Sequence, residues 1–213
     1  MAERRGMLIS FEGSEGCGKS TQIERLKARL SSAGQEILQM REPGGTFVGE
    51  RIRDLLQHTK EAHSMCHEAE LLLFAASRAQ LVRESIRPAL LAGKTVILDR
   101  FLDSTTVYQG YARGLPMESV RAINRFAVQD VVPDLTLLLD MDASKAWARI
   151  HATGRELDRM ESQPLEFFEN VRRGYLNLAA EQPDRIVVLD ASLKPEELEQ
   201  QIWTLVEHRR HAL

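Results

Sequence analysis

Eight consecutive residues near the amino terminus carry the most specific chemistry in the chain. Gly13-Ser14-Glu15-Gly16-Cys17-Gly18-Lys19-Ser20, followed by Thr21, matches the phosphate-binding pattern G-x-x-x-x-G-K-[ST]. Small residues at this spacing let backbone N–H groups turn inward around a phosphate. A helix starting there directs the positive end of its dipole at the same anion. Lys19 has the reach to touch β- and γ-phosphates, and the Ser20 hydroxyl can ligate magnesium. An apolar run, Met7 to Glu12, precedes the loop, and Ile23, Leu26, Leu30 and Ala33 recur at helical spacing behind it. Strand, glycine loop and amphipathic helix in that order are the context the motif needs. A glycine-rich turn with a chance Lys-Ser is the weaker reading, and a nucleoside triphosphate is the implied ligand.

Four further stretches hold residues suited to phosphate or base contacts. Arg41-Glu42-Pro43-Gly44-Gly45-Thr46 is a turn signal behind a strand, followed by Gly49-Glu50-Arg51-Ile52-Arg53. Arg41, Glu42 and Arg53 would then lie near the mouth of the loop, or else be solvated surface charges. Phe74 and Arg78 are four apart and share a helix face. They would form a stacking and hydrogen-bonding pair for a base, or else a core phenylalanine beside an arginine that reaches out to water. Asp99-Arg100 closes an apolar run, where phosphoryl-transfer folds place a second carboxylate beside magnesium. The polar and aromatic run behind it holds Phe101, Asp103, Ser104, Thr105, Tyr108 and Gln109, and Asp103 or Ser104 would cap a helix there. Arg149, Arg155 and Arg159 surround Gly154. They would be a mobile arginine-bearing flap, or else an exposed helix laced by ion pairs.

These residues need a frame. Strand signals recur at residues 7–12, 36–40, 95–99, 135–140 and 185–189, with helical stretches between most of them. One long helical pattern spans Glu68 to Ala92, interrupted late by Pro88, and another begins at about Pro195. The alternation predicts an α/β fold: a five-stranded parallel sheet flanked by helices, with ligands beyond the carboxyl ends of the strands. No repeat, low-complexity tract or linker divides residues 1–213, so one domain is expected, with a lid at about 149–161.

Bulk properties narrow the function. The formal charge is −3 and no long basic run occurs, which argues against wholesale nucleic-acid binding. Arginine makes up 22 of the 28 basic residues, which suits bidentate phosphate contacts but also fits a coding bias. Two cysteines make no disulfide framework and fit a reducing cytoplasm. Neither a signal peptide nor a membrane span is legible. The NKxD and DxxG tetrads of switch GTPases do not occur.

The segments FEGSEGCGKST, REPGGT with GERIR, LLLFAASR, DRFLDSTTVYQG, YARG, PDLTLLLD and ELDRME, spread from Phe11 to about Glu161, together resemble the thymidylate kinases of bacterial type. The resemblance implies a nucleoside monophosphate kinase fold on the phosphate-loop scaffold. It implies transfer of the γ-phosphoryl group of ATP to dTMP with Mg²⁺, in a homodimer. Carried over by position, Gly13 to Thr21 and Arg149 would hold ATP, and Glu15 would lie near the sugar 3′-hydroxyl of dTMP. Glu42 and Asp99 would sit with Ser20 near the metal. Arg53 and Arg100 would bind the acceptor phosphate, with Pro43 beside it. Phe74 would stack on thymine, Arg78 and Gln109 would bond its edge with Ser104 or Thr105 close by, and Tyr108 would crowd the 2′ side of the sugar. Lys19, Arg100, Asp99, Glu15 and Arg155 form the expected catalytic set. Two positions depart from the pattern. Phe101 stands where Tyr or His is more usual and receives no polar role. The loop has no Arg at positions 14–17, so the transition-state cation must come from the flap, with Arg155 as first choice and Arg149 or Arg159 as second.

Overall fold

The structure, a computed structural model, describes residues 6–59, 64–152, 154 and 156–212. Five strands, β1 (Leu8–Glu12), β2 (Ile37–Arg41), β3 (Thr95–Asp99), β4 (Leu135–Asp140) and β5 (Ile186–Asp190), form a sheet in the order β2-β3-β1-β4-β5. All neighbouring pairs are parallel. Each expected strand is present, within a residue or two of its expected bounds. The three inner strands are almost continuously apolar because both faces of the sheet are covered.

Alternation along the strands splits the core in two. Ile9, Phe11, Ile97 and Leu137 pack against Ile23, Leu26 and Leu30 of α1 (Lys19–Ser32) and Leu198, Ile202 and Val206 of α9 (Pro195–Ala212). Leu8, Val96 and Leu98 point the other way, against Leu81 of α3 (His67–Leu81) and Val128 of α6 (Met117–Val128). Leu138 and Ile186 meet Val171, Tyr175 and Leu178 of α8 (Leu165–Glu181). The remaining long connection is α2 (Phe47–Gln57), whose Thr46 cap accepts the Gly49 N–H at 2.9 Å.

One local expectation gains detail and another is corrected. The helix over Glu68–Ala92 is not uniform: α3 passes into a π-helical turn, Val82–Ile86, and then into α4 (Arg87–Leu91). Pro88 lacks an N–H and its ring crowds the carbonyl four residues earlier, and the wider turn accommodates both. Neither Asp103 nor Ser104 caps the helix behind β3. The short α5 (Leu102–Thr105) starts after Phe101 without a side-chain cap. Asp103 is instead paired with Arg185 at 2.6 Å, and Ser104 donates to Glu12 at 2.6 Å, because the tertiary partners of both are charged. A second π-helical turn, Thr106–Ala112, follows α5 directly and carries Tyr108 and Gln109. Between β4 and α8 lies α7 (Ala143–His151), its first turn capped by Asp142. Among the described residues no helix is long and apolar enough to cross a membrane.

Candidate active site

Because β1 and β3 are neighbours, with Phe11 in register with Asp99, the loop behind β1 faces the Asp99-Arg100 pair behind β3. The loop needs its glycines. Gly13 has φ +131°, and a Cβ there would lie 2.5 Å from the Leu139 carbonyl oxygen. Gly18 has φ +95° and sits at the start of α1, whose first turn opens onto the loop. Lys19 is buried and its Nζ donates to the carbonyls of Gly13 (3.1 Å) and Ser14 (2.9 Å). The ammonium is thus held over the loop, where a phosphate would compete for it.

A cavity of about 350 Å³ opens beside the loop. Glu15, Gly16, Lys19 and Ser20 line its phosphate-loop end. Glu42, Pro43, Arg53, Asp99 and Arg100 also line the cavity, as do Phe74, Arg78, Ser104, Thr105, Tyr108 and Gln109. The structure thus brings residues from five separate stretches into one space. Gly13, Ser14, Cys17, Gly18 and Thr21 belong to the loop and its helix but are not on the cavity wall. Arg149 is exposed on α7, off the wall, and Arg155 lies outside the described residues. Arg159 is committed elsewhere: it forms an ion pair with Glu70 at 2.6 Å and donates to the Leu56 carbonyl at 2.8 Å. Asp158, Met160 and Glu161, from the expected lid, do line the cavity.

Arg100 has φ +70°, a left-handed conformation that is costly for a residue with a Cβ. Its side chain donates to the Gly13 carbonyl at 2.9 Å and pairs with Glu15 at 2.7 Å, so loop and cation are linked. The guanidinium lies 5.1 Å from the Tyr108 ring centre, and Tyr108 donates its hydroxyl to Glu15 at 2.7 Å. Behind this layer the fully buried Glu12 accepts from the Phe101 N–H (2.7 Å), Ser104 (2.6 Å), Tyr175 (2.8 Å) and Ser10 (3.0 Å). Burial, reinforced by the charge of Asp103, raises its pKa above the usual carboxylate range. Arg53 donates to the Pro43 carbonyl at 3.0 Å and faces the cavity half-buried.

Arg78 fits neither sequence alternative by itself. It is 1% exposed, so it does not reach water, yet it forms part of the cavity wall. Its Nε donates to Glu42 Oε2 (2.8 Å), Nη1 to Asn124 Oδ1 (2.8 Å) and Nη2 to Thr105 Oγ1 (2.8 Å). The guanidinium therefore braces α3 against β2, α5 and α6. Phe74, one turn earlier, is half-buried on the same wall. Gln109 donates Nε2 to Glu70 at 2.8 Å, and its Oε1 is buried without a hydrogen-bond partner among the described residues.

Burial pushes the Glu42 carboxyl up to about 7, against the opposing charge of Arg78. Its folded-state value exceeds the unfolded one of 4.5, so the folded protein binds the extra proton. This group's contribution to stability therefore grows as pH falls from about 7 to 4.5, with a slope of up to about 1.4 kcal/mol per pH unit. In Glu42→Gln that contribution is absent. Urea unfolding across this window should show the wild type gaining on the variant as pH falls, and parallel curves would contradict the shift.

Glu12, Glu70, Asn124 and Tyr175 escaped the sequence reading. A signal existed for two of them: Glu12 ends an apolar strand and Glu70 abuts the apolar run Leu71–Phe74. An acid flanking an apolar run can be drawn into the core with it, and a buried acid needs partners. For Asn124 and Tyr175 the sequence offers no local cue.

The donor set also bears on a metal. The Asp99 carboxylate has no hydrogen-bond or ion-pair partner among the described residues and lines the same cavity as the exposed Ser20. Among the described residues no group of three or more His, Cys, Asp or Glu could hold a metal unaided. One carboxylate and one hydroxyl fit magnesium, which keeps several waters and takes other ligands from substrate phosphates. Glu42 lies on the same wall, with Oε2 engaged by Arg78.

A parallel five-stranded sheet, a phosphate loop behind its first strand and a cavity of about 350 Å³ beside that loop fit the nucleoside monophosphate kinase class. The thymidylate kinase family model matches residues 11–202. The thymidylate kinase of Chlorobaculum tepidum is 47% identical over 209 residues, covering 94% of this chain and 97% of that protein. That of Pelodictyon phaeoclathratiforme is 50% identical over 193 residues, covering 87% and 88%. The crystal structure of thymidylate kinase from Ehrlichia chaffeensis superposes with a TM-score of 0.76 at 31% identity, covering 95% of this chain and 99% of that one. The chain belongs to the thymidylate kinase family.

Proposed function

We propose that the protein transfers the γ-phosphoryl group of ATP to dTMP, giving dTDP and ADP, in deoxynucleotide biosynthesis. The observation that carries this reading is the single cavity with Lys19, Arg53 and Arg100 among its walls together with Phe74 and Gln109. The three cations suit two phosphates set end to end, and the aromatic and amide side chains suit a flat base. The loop residues 13–21 hold ATP through backbone N–H groups and Lys19. Arg100 and Arg53 bind the 5′-phosphate of dTMP, and the Arg100–Glu15 pair keeps that cation aligned with the loop. Magnesium held by Asp99 and Ser20, with Glu42 near it, would offset charge on the transferring phosphates. Phe74 stacks on thymine, and the acceptor Oε1 of Gln109 suits the N–H of its ring. Glu15 and Tyr108 bound the sugar, and Arg78, Thr105 and Ser104 support the base end.

Transfer is in line, and the protein contributes position and charge rather than a covalent intermediate. Residues 149–161 act as the lid, with Arg155 supplying the transition-state cation and Arg149 a contact to ATP. The commitment of Arg159 to Glu70 favours Arg155 for that role. The protein acts as a homodimer in the cytoplasm as one domain. The exposed Leu72 on α3 and Phe126 on α6, helices that pack on each other, supply apolar surface for a second copy.

The test is ADP release with ATP and Mg²⁺ across a panel of nucleoside monophosphates. We expect dTMP to be the best acceptor, by roughly 10⁴-fold over purine monophosphates, because buried polar groups of the base site would be left unpaired by a mismatched base. Turnover that prefers UMP, CMP or a non-nucleotide acceptor would overturn the reading.

A further inference from the structure

We infer that Glu70 is a positioning residue that fixes which end of the Gln109 amide faces the base, and so sets the preference for a pyrimidine carrying a hydrogen on ring N3. The inference rests on the proposed binding of thymine in this cavity. Glu70 sits in the first turn of α3 and is completely buried. An ionised carboxylate only accepts hydrogen bonds. A primary amide has a donor end and an acceptor end, and Gln109 directs its donor end at Glu70 Oε1, 2.8 Å away. The acceptor Oε1 is what remains, buried and without a partner among the described residues, on a side chain of the cavity wall. An acceptor there complements thymine, whose N3 carries hydrogen, and opposes cytosine, whose N3 is itself an acceptor.

Glu70 can impose this orientation only while it is charged, and its neighbours see to that. Arg159 reaches Oε2 at 2.6 Å and Arg113 reaches Oε1 at 3.3 Å. Burial opposes ionisation, but the hydrogen bond from Gln109 and the two guanidinium charges outweigh it and hold the carboxyl below its usual range. A neutral amide at position 70 would offer either end to Gln109. Both orientations at 109 would then be open, and the base site would lose its sign.

The test compares kcat/KM for dTMP and 5-methyl-dCMP, which keep the same methyl group and differ at N3 and C4. In the wild-type chain dTMP should be strongly preferred. Glu70→Gln should reduce the dTMP to 5-methyl-dCMP ratio at least tenfold. Glu70→Asp, which stays acceptor-only, should keep the ratio within threefold whatever happens to the absolute rates. Glu70→Gln leaves two guanidinium groups without their counter-charge. If that alone prevents folding, Glu70→Gln with Arg159→Met relieves one of them and carries the same expectation. An unchanged ratio with both rates lowered equally would make Glu70 merely structural and overturn the inference. A wild type that does not phosphorylate dTMP at all would instead overturn the proposed function.

Discussion

Replacing Lys19 with alanine should lower turnover of ATP with dTMP by about 10²–10³-fold or more, the usual loss when one preorganised donor to developing charge is removed. Lys19 is the cation the motif supplies to the transferring phosphate, and its ammonium is already poised over the loop by the Gly13 and Ser14 carbonyls. The ammonium needs only a local change of partner to meet a phosphate, which is why its removal should act on rate more than on fold. Alanine is the best helix former, so the first residue of α1 tolerates it. The two lost bonds come from a charged donor and should cost about 1.5–3 kcal/mol each at most, and the Gly13 carbonyl keeps its bond from Arg100. Steady-state ADP release and a thermal melt on the same preparation separate the two effects. Near-normal turnover in a folded Lys19→Ala protein would contradict the phosphate-loop reading.

The second large effect concerns stability. Arg78→Ala should destabilise the fold by about 3 kcal/mol, at the lower end of the ~3–5 kcal/mol typical when one member of a buried ion pair is removed. The lower end applies because the carboxyl left behind, Glu42, is already pushed up to about 7 and can escape by taking a proton. The guanidinium also joins Asn124 and Thr105, so the substitution leaves those groups unpartnered as well. The resemblance to thymidylate kinases implied that Arg78 bonds the thymine edge, so that its loss would raise the dTMP requirement more than the ATP requirement. Its geometry predicts a broader result: weaker dTMP binding accompanied by a lower unfolding free energy. Adding Glu42→Gln should recover part of the loss, since the double variant leaves no charge buried alone. Denaturant unfolding of the wild type, both single variants and the double variant measures this directly. A loss for Arg78→Ala well below 1 kcal/mol would make the arginine a ligand contact with little structural role.

The phosphate loop, the five strands and the order of strand and helix were legible because each rests on local pattern. Gly13 to Ser20 is a contiguous code, the inner strands are continuous apolar runs, and α1 has a regular apolar spacing. That Asp99-Arg100 stands at a strand end was equally local. Neighbouring of β1 and β3, by contrast, is a long-range event, and it alone places Arg100 against Gly13 and Glu15. Likewise, charge at position 78 is visible in sequence, but its burial is not, since that depends on Glu42, Thr105 and Asn124 arriving from three other elements. The π-helical turn under Tyr108 and Gln109 has no periodic signature, and the partners of Glu70 come from elements far apart in sequence. A sequence thus determines which groups are present and which short segments they ride on. Which acids and guanidinium groups lose their water, and so which partners they must find, was decided only when the helices closed over the sheet.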